Sequence, residues 1–262
     1  MRLSISNIGW SPDLDNAMYD YLNKQNFTGI EIAPTRIFPE HPYDNKIAAK
    51  RFATNLKDKY GLTISSMQSI WYGKTENMFG TEAERSELLR YTKKAIDFAC
   101  LIGCRNVVFG CPQNRNRKET SNYTLAIKFF QELAAYAKEK ETVIAMEPNP
   151  TIYHTNFINE TAQAFELVKE VSSDGFKVNV DVGTIIQNQE SLKVIEENIS
   201  LVNHVHISEP FLEKIEKRDL HRSISTILHE KKYGGYVSIE MKNLNDLCIV
   251  KATMDYVKEV FA

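Results

Sequence analysis

The chain has 262 residues, 43% hydrophobic and 25% charged, with a formal net charge of -2 and a pI of about 6.3. That is an ordinary globular composition, and without a basic excess it argues against nucleic acid as a partner. The four cysteines (Cys100, Cys104, Cys111 and Cys248) fit no zinc ribbon, redox pair or disulfide framework, which points to reduced thiols and a cytoplasmic protein.

The N-terminal run from Met1 to Asn7 lacks the continuous apolar stretch of a signal peptide, and no later run has the roughly 18 apolar residues of a membrane span. Short apolar runs alternate with longer amphipathic ones. A strand over 2–6 (RLSIS) precedes a weak helix over 13–25, and "SNIGWSP" between them is not the glycine-rich turn of a dinucleotide site. A strand over 28–33 (TGIEIA) leads to a helix over 45–60, with Ile47, Phe52 and Leu56 at helical intervals. The strand over 62–67 is followed by a helix over 82–102, where Thr81 and Glu84 form a capping box. Strands over 106–110 and 142–147 precede helices over 122–140 and 161–171. Strands over 176–181, 201–207 and 236–241 precede helices over 191–199, 220–230 and 246–261. Eight strands, each followed by a helix, predict one (β/α)8 TIM barrel domain over 1–262, whose chemistry sits where strands end.

Four consecutive strands end in ligand-type side chains. Glu147 (AMEPNP), Asp181 (VNVDVG), His206 (HVHISEP) and Glu240 (SIEMK) follow one another at intervals of 34, 25 and 34 residues. Alternation along each strand gives the facing side. Glu147 shares a face with Val143 and Ala145, Asp181 with Asn179, His206 with His204, and Glu240 with Ser238. The branched residues between them face the helices, so the polar ones point into the barrel. His206 is expected at the rim with the three carboxylates, and His204, Asn179 and Ser238 one layer deeper, placed to orient them. Three converging carboxylates repel unless a cation lies among them. One imidazole and three carboxylates suit one divalent ion, Mn2+, Mg2+ or Co2+, with Zn2+ also admissible.

At these residues the sequence resembles the xylose isomerase-like barrel superfamily, which includes sugar and sugar-phosphate isomerases and epimerases and the metal-dependent AP endonucleases. "MEPNP", "NVDVGT", "HVHISEP" and "GGYVSIEMK" resemble its segments in the right order, and "VFGCPQNRNR" resembles its loop after the fourth strand. The resemblance implies a metal on Glu147, Asp181, His206 and Glu240, with Glu147 and Glu240 as catalytic acid and base on opposite faces of the substrate. It covers the whole chain, with departures. Where the endonucleases carry further zinc-binding histidines, this chain has Gln68, Gly110 and Thr184, although Asp219 and His221 keep an Asp-x-His pair. Where sugar epimerases carry a further glutamate after the fifth strand, His154 stands nearby.

Other substrate-binding candidates lie in the loops. Arg36 follows the second strand, and Arg115 and Arg117 the fourth; either loop could clamp a phosphate or carboxylate. Trp71 and Tyr72 follow the third strand, where a ring could stack on a sugar. Glu209 and His221 lie beyond His206, and Lys242 shares the inward parity of Glu240. The expected function is an isomerase or epimerase of a small sugar, sugar phosphate or polyhydroxy acid. The alternatives are a phosphodiesterase or endonuclease of the same fold and a catalytically silent sugar-binding barrel. A homo-oligomer is left open.

Overall fold

The computed structural model describes residues 1–118 and 123–262. Among them, eight parallel strands alternate with helices: β1 (Arg2–Ile5), α1 (Asp15–Lys24), β2 (Gly29–Ile32), α2 (Pro34–Ile37), α3 (Lys46–Tyr60), β3 (Thr63–Met67), α4 (Glu82–Leu101), β4 (Val107–Phe109), α5 (Tyr123–Glu139), β5 (Ile144–Met146), α6 (Thr161–Val171), β6 (Phe176–Asp181), α7 (Val182–Asn188), α8 (Lys193–Asn198), β7 (Val202–Ile207), α9 (Asp219–Glu230), β8 (Tyr236–Ile239) and α10 (Leu247–Phe261). The ladder runs from β1 through β8 down to β2, and a parallel bridge between Ser6 and Glu31 closes the seam. This is the TIM barrel expected from the alternation.

Local signals set the helix ends. Thr81 and Glu84 form the capping box of α4, Asn45 caps α3 by accepting from the Ala48 amide, and Gly61 ends α3 with φ of 67°. The expected helix start at Asn122 lies outside the described residues. The sequence reading did not anticipate α7, because Asp181 serves both as the last residue of β6 and as the cap that accepts from the Thr184 amide.

The two sides of the strands differ as alternation requires. Val178, Val180, Val205, Ile207, Val237 and Ile239 are fully buried against the helices. Aromatic rings fill the layer on one side, with Phe130 stacked on Phe176 at 4.7 Å and edge-on to Phe109 at 4.9 Å. Inside the barrel the residues are small and polar. The Ser4 and Ser65 hydroxyls bond across the interior at 2.6 Å, and Asn106 donates to the Ser66 hydroxyl at 2.9 Å. No helix among the described residues is long and apolar enough to cross a membrane, and all four cysteines are free.

Gly175, just before β6, packs directly against the backbone of α5. A Cβ there would lie 2.0 Å from the Ala134 carbonyl oxygen of α5, a backbone atom that cannot swing aside. Gly175→Ala is therefore expected to destabilise the protein by about 1–3 kcal/mol, read as a lower urea midpoint with an unchanged slope.

Candidate active site

The register of the last four strands brings four side chains to one end of the barrel. Asp181 pairs with His206 across β6 and β7, and the Glu240 amide donates to the Ile207 carbonyl at 2.9 Å. The Glu147 amide is tied to the Phe109 carbonyl at 3.1 Å. One ligand atom from each of Glu147, Asp181, His206 and Glu240 lies within 4.8 Å of the others. The carboxylates keep 7–8% exposure while His206 keeps none, so the cluster sits just inside the mouth, not sealed in the core.

His206 is the hub. Its Nδ1 faces Glu147 Oε1 at 2.9 Å and Glu240 Oε2 at 3.2 Å. Its Nε2 meets Glu31 Oε2 at 2.7 Å on the opposite side of the ring. Glu31 is fully buried on β2, and sequence reasoning missed it. The signal was present in "GIEIA", where Gly29 and Glu31 share a face opposite Ile30 and Ile32.

Further residues fix each carboxylate. Gln68 Nε2 lies 2.8 Å from Glu240 Oε1, 3.2 Å from Glu31 Oε1 and 2.9 Å from the Ser6 hydroxyl. Asn179 donates to Glu147 Oε1 at 2.7 Å, and Asn149 donates to Glu147 Oε2 at 3.3 Å. The Thr184 amide and hydroxyl both donate to Asp181 Oδ2 at 2.7 Å, and the Ser208 hydroxyl donates to Oδ1. Of the three deeper residues expected to orient the rim, Asn179 contacts it directly. His204 Nε2 instead lies 3.7 Å from Glu31, and the Ser238 hydroxyl has no partner among the described residues. Strand stagger accounts for the difference.

The electrostatics fit a cation. Burial, the Glu147 charge and the Glu31 charge push Glu240 up to about 7, with His206 only partly opposing. Burial and the Glu147 charge likewise raise Asp181. Burial would lower His206, but Glu31 and Glu240 outweigh it and hold the imidazole well above its usual range. Burial would also raise Glu31, but His206 keeps it down at about 2. The cluster thus retains protons at positions from which a divalent ion would displace them. With the Nε2 proton held on the Glu31 side, loss of the Nδ1 proton would leave a lone pair pointing into the cluster, as a metal ligand requires. A second group, Glu31, His204 and His206, also has ligand spacing, but the His206–Glu31 hydrogen bond already uses its facing atoms.

The other sequence candidates are placed differently. Trp71 is core: its indole N–H donates to the Thr92 hydroxyl at 2.8 Å and its ring packs on Phe109 and Phe129, leaving no face for a sugar. Arg115 is a buried strut, not an open clamp. It donates to the Glu147 carbonyl and to Asn149 Oδ1, both at 2.9 Å, and burial lowers its pKa to about 10. Arg36 is turned onto Asp15 at 2.7 Å and the Trp10 carbonyl at 3.0 Å. His221 is buried within the α9–α10 packing, with Nδ1 3.0 Å from the Tyr256 hydroxyl, away from the mouth. Glu209 accepts two bonds from Arg218, at 2.8 and 2.7 Å. Lys242 is half-exposed and pairs with Glu213. His154 is exposed at φ of 59°, and it is the neighbouring Tyr153 that senses the Asp181, Glu240 and Glu147 charges. The Tyr153 hydroxyl accepts the Phe211 amide at 2.8 Å, joining the β5 and β7 loops at the rim.

A cavity of about 840 Å³ lies over the ends of β1–β3, beside the cluster and not around it.

The sequence matches the family model described as xylose isomerase-like TIM barrel over residues 19–260. No curated protein matches it at a significant level. Among solved structures, the D-psicose 3-epimerase of Clostridium cellulolyticum H10 superposes with a TM-score of 0.81 at 15% identity, covering 100% of this chain and 99% of that one. The 3-keto-D-glucoside 4-epimerase YcjR of E. coli gives 0.78 at 18% identity, covering 99% and 98%. An L-ribulose 3-epimerase gives 0.73 at 18% identity, covering 99% and 91%. At these identities the structural likeness speaks for the fold, and the family match is independent of it. The chain belongs to the xylose isomerase-like TIM barrel family.

Proposed function

We propose that the protein is a metal-dependent epimerase or isomerase of a small sugar, with Glu147 and Glu240 exchanging protons with the substrate. One observation carries the reading: the two glutamates, from strands three apart around the barrel, approach the same His206 nitrogen at 2.9 and 3.2 Å. They flank one point from two directions, as a pair of bases acting on opposite faces of a substrate carbon must. That solved neighbours include sugar epimerases supports the same choice.

Glu147, Asp181, His206 and Glu240 would hold one divalent ion, with Mn2+, Mg2+ or Co2+ favoured by the oxygen-rich set and Zn2+ also accommodated. Such an ion would supply Lewis acidity that eases the loss of a proton from the carbon beside a carbonyl. One glutamate takes that proton. The other returns a proton from the opposite face, which inverts the centre, or at the neighbouring carbon, which isomerises the sugar. Gln68 holds Glu240 from one side, while Asn149, backed by Arg115, holds Glu147. Asp181, fixed by Thr184 and Ser208, is left as a ligand only. Glu31 presents the imidazole in one tautomer.

The nuclease reading fares worse. Gln68 bonds Glu240 and Glu31 instead of adding an imidazole, and the absent side chain of Gly110 leaves room taken by Glu147 Oε2, 2.7 Å from where a Cβ would stand.

Metal-loaded protein is expected to contain one ion per chain by elemental analysis and to wash solvent deuterium into a ketohexose at a carbon beside the carbonyl. Glu147→Gln and Glu240→Gln should each slow that exchange by about 10²–10⁴-fold without changing the thermal midpoint; near-native exchange in either variant defeats the two-base assignment. EDTA should abolish exchange and added Mn2+ should restore it. Glu31→Gln should weaken Mn2+ binding by about 10–100-fold, measured by competition with a fluorescent chelator, because the neutral amide no longer raises the basicity of His206.

A further inference from the structure

Resting on the epimerase reading, we infer that the substrate is a neutral sugar carrying a second glycosyl unit, which seats in the cavity over β1–β3. This cavity, about 840 Å³, reaches the upper part of the range that holds drug-sized ligands, beyond the need of one hexose. It opens at the same end of the barrel as the cluster, since Ile8, Ala33 and Ser69 on its lining come within a few residues after the ends of β1, β2 and β3. It is also joined to the cluster. The Ser69 hydroxyl donates to Gln68 Oε1 at 2.9 Å, and Gln68 Nε2 donates to Glu240 Oε1 at 2.8 Å. A molecule spanning the metal ligands and this floor crosses two hydrogen bonds.

The lining chooses between a neutral and an anionic extension. Its four lysine and arginine side chains are each already matched with a carboxylate. Arg36 meets Asp15 and Lys94 meets Asp44, both at 2.7 Å. Lys74 and Arg90 share Glu87 at 2.7 and 2.8 Å, and Glu76 lies 3.6 Å from Lys74. Four cations face four carboxylates, so a phosphate would meet no surplus positive charge. Paired charges still offer donors and acceptors to hydroxyl groups. Aromatic surface completes the match, with Tyr43, Tyr72 and Tyr91 on the lining. Tyr72 is 73% exposed, yet its loop is anchored: Ser69 at φ of 54° turns the chain, Trp71 is locked in the core, and the Tyr72 amide donates to the Ser69 carbonyl at 3.0 Å. An exposed ring on an anchored backbone at the lip of a charge-balanced cavity suits the C–H face of a pyranose.

The test uses Mn2+-loaded protein with four probes: fructose, fructose 6-phosphate, and the neutral fructose-containing disaccharides isomaltulose (6-linked) and lactulose (4-linked). Binding is measured by calorimetry and turnover by deuterium exchange. At least one disaccharide is expected to bind about tenfold more tightly than fructose, and Tyr72→Ala to erase about that factor from the disaccharide-to-fructose ratio. Tighter binding of fructose 6-phosphate than of both disaccharides overturns the inference. So does a disaccharide-to-fructose ratio near one, or one that Tyr72→Ala leaves in place. The two readings fail separately: Tyr72-dependent disaccharide binding without any deuterium exchange keeps the cavity and removes the epimerase, while exchange into fructose with no disaccharide preference does the reverse.

Discussion

The site depends on a buried imidazole gripped at both nitrogens. Glu31 lies 2.7 Å from Nε2 of His206, and Glu147 and Glu240 close on Nδ1 at 2.9 and 3.2 Å. A fully buried, ionised carboxylate such as Glu31 costs several kcal/mol if left alone. It is tolerated because His206 and Gln68 satisfy it at once, from β7 and from the end of β3. The ring cannot rotate without stranding Glu31, so Nδ1 stays directed at the carboxylates of β5 and β8. Any slip of one residue along β7 would turn both histidines to the helix side. The geometry of the cluster is therefore also a constraint on strand register.

Much of this was legible in the sequence, for an identifiable reason. A barrel strand has period two and an apolar outer face, so polar residues interrupting a Val/Ile alternation must point inward. That rule placed Asp181, His206 and Glu240 together, and their spacing of one strand, helix and loop placed them at one height. The same rule applies to Glu31, but a single carboxylate between two isoleucines, far in sequence from the other ligands, lacks the repetition that made the later strands conspicuous. Loop residues were less legible. Alternation ends with the strand, so nothing in "SIWYG" shows that Trp71 dives between Phe109 and Phe129 while Tyr72 stays outside. Arg115 looked like an anion clamp because guanidinium chemistry is the same whether it meets a ligand or the carbonyl of Glu147. Lys242 shows where parity stops: beyond Ile239 the backbone leaves the ladder, and the side chain turns to Glu213.

The interior differs from that of a barrel filled with branched apolar layers. Below the cluster lie Ser4, Ser65, Ser66, Asn106, Asn179, His204 and Ser238, all buried. Each small polar side chain must find a partner inside the barrel, and most do: Ser4 with Ser65, Ser66 with Asn106, Asn179 with Glu147. The first pair links β1 to β3, two strands that are not neighbours in the sheet, and the other two tie adjacent strands, β3 to β4 and β5 to β6, at the level of the interior.

The substitutions at the mouth can be understood on the same footing. A histidine at Gln68 would offer one donor in place of an amide that reaches Ser6, Glu31 and Glu240, and Glu240 would lose its tether. Any side chain at Gly110 would displace Glu147, whose Oε2 lies 2.7 Å from the Cβ position. Both residues use the space and hydrogen-bonding capacity at the ends of β3 and β4 to hold glutamates in place, instead of recruiting further ligands. With those positions committed to Glu147 and Glu240, the ends of β3 and β4 carry no further imidazole. The barrel mouth is thereby divided: β5 to β8 carry the cluster of three carboxylates and one imidazole, and β1 to β3 carry the wide, charge-balanced recess.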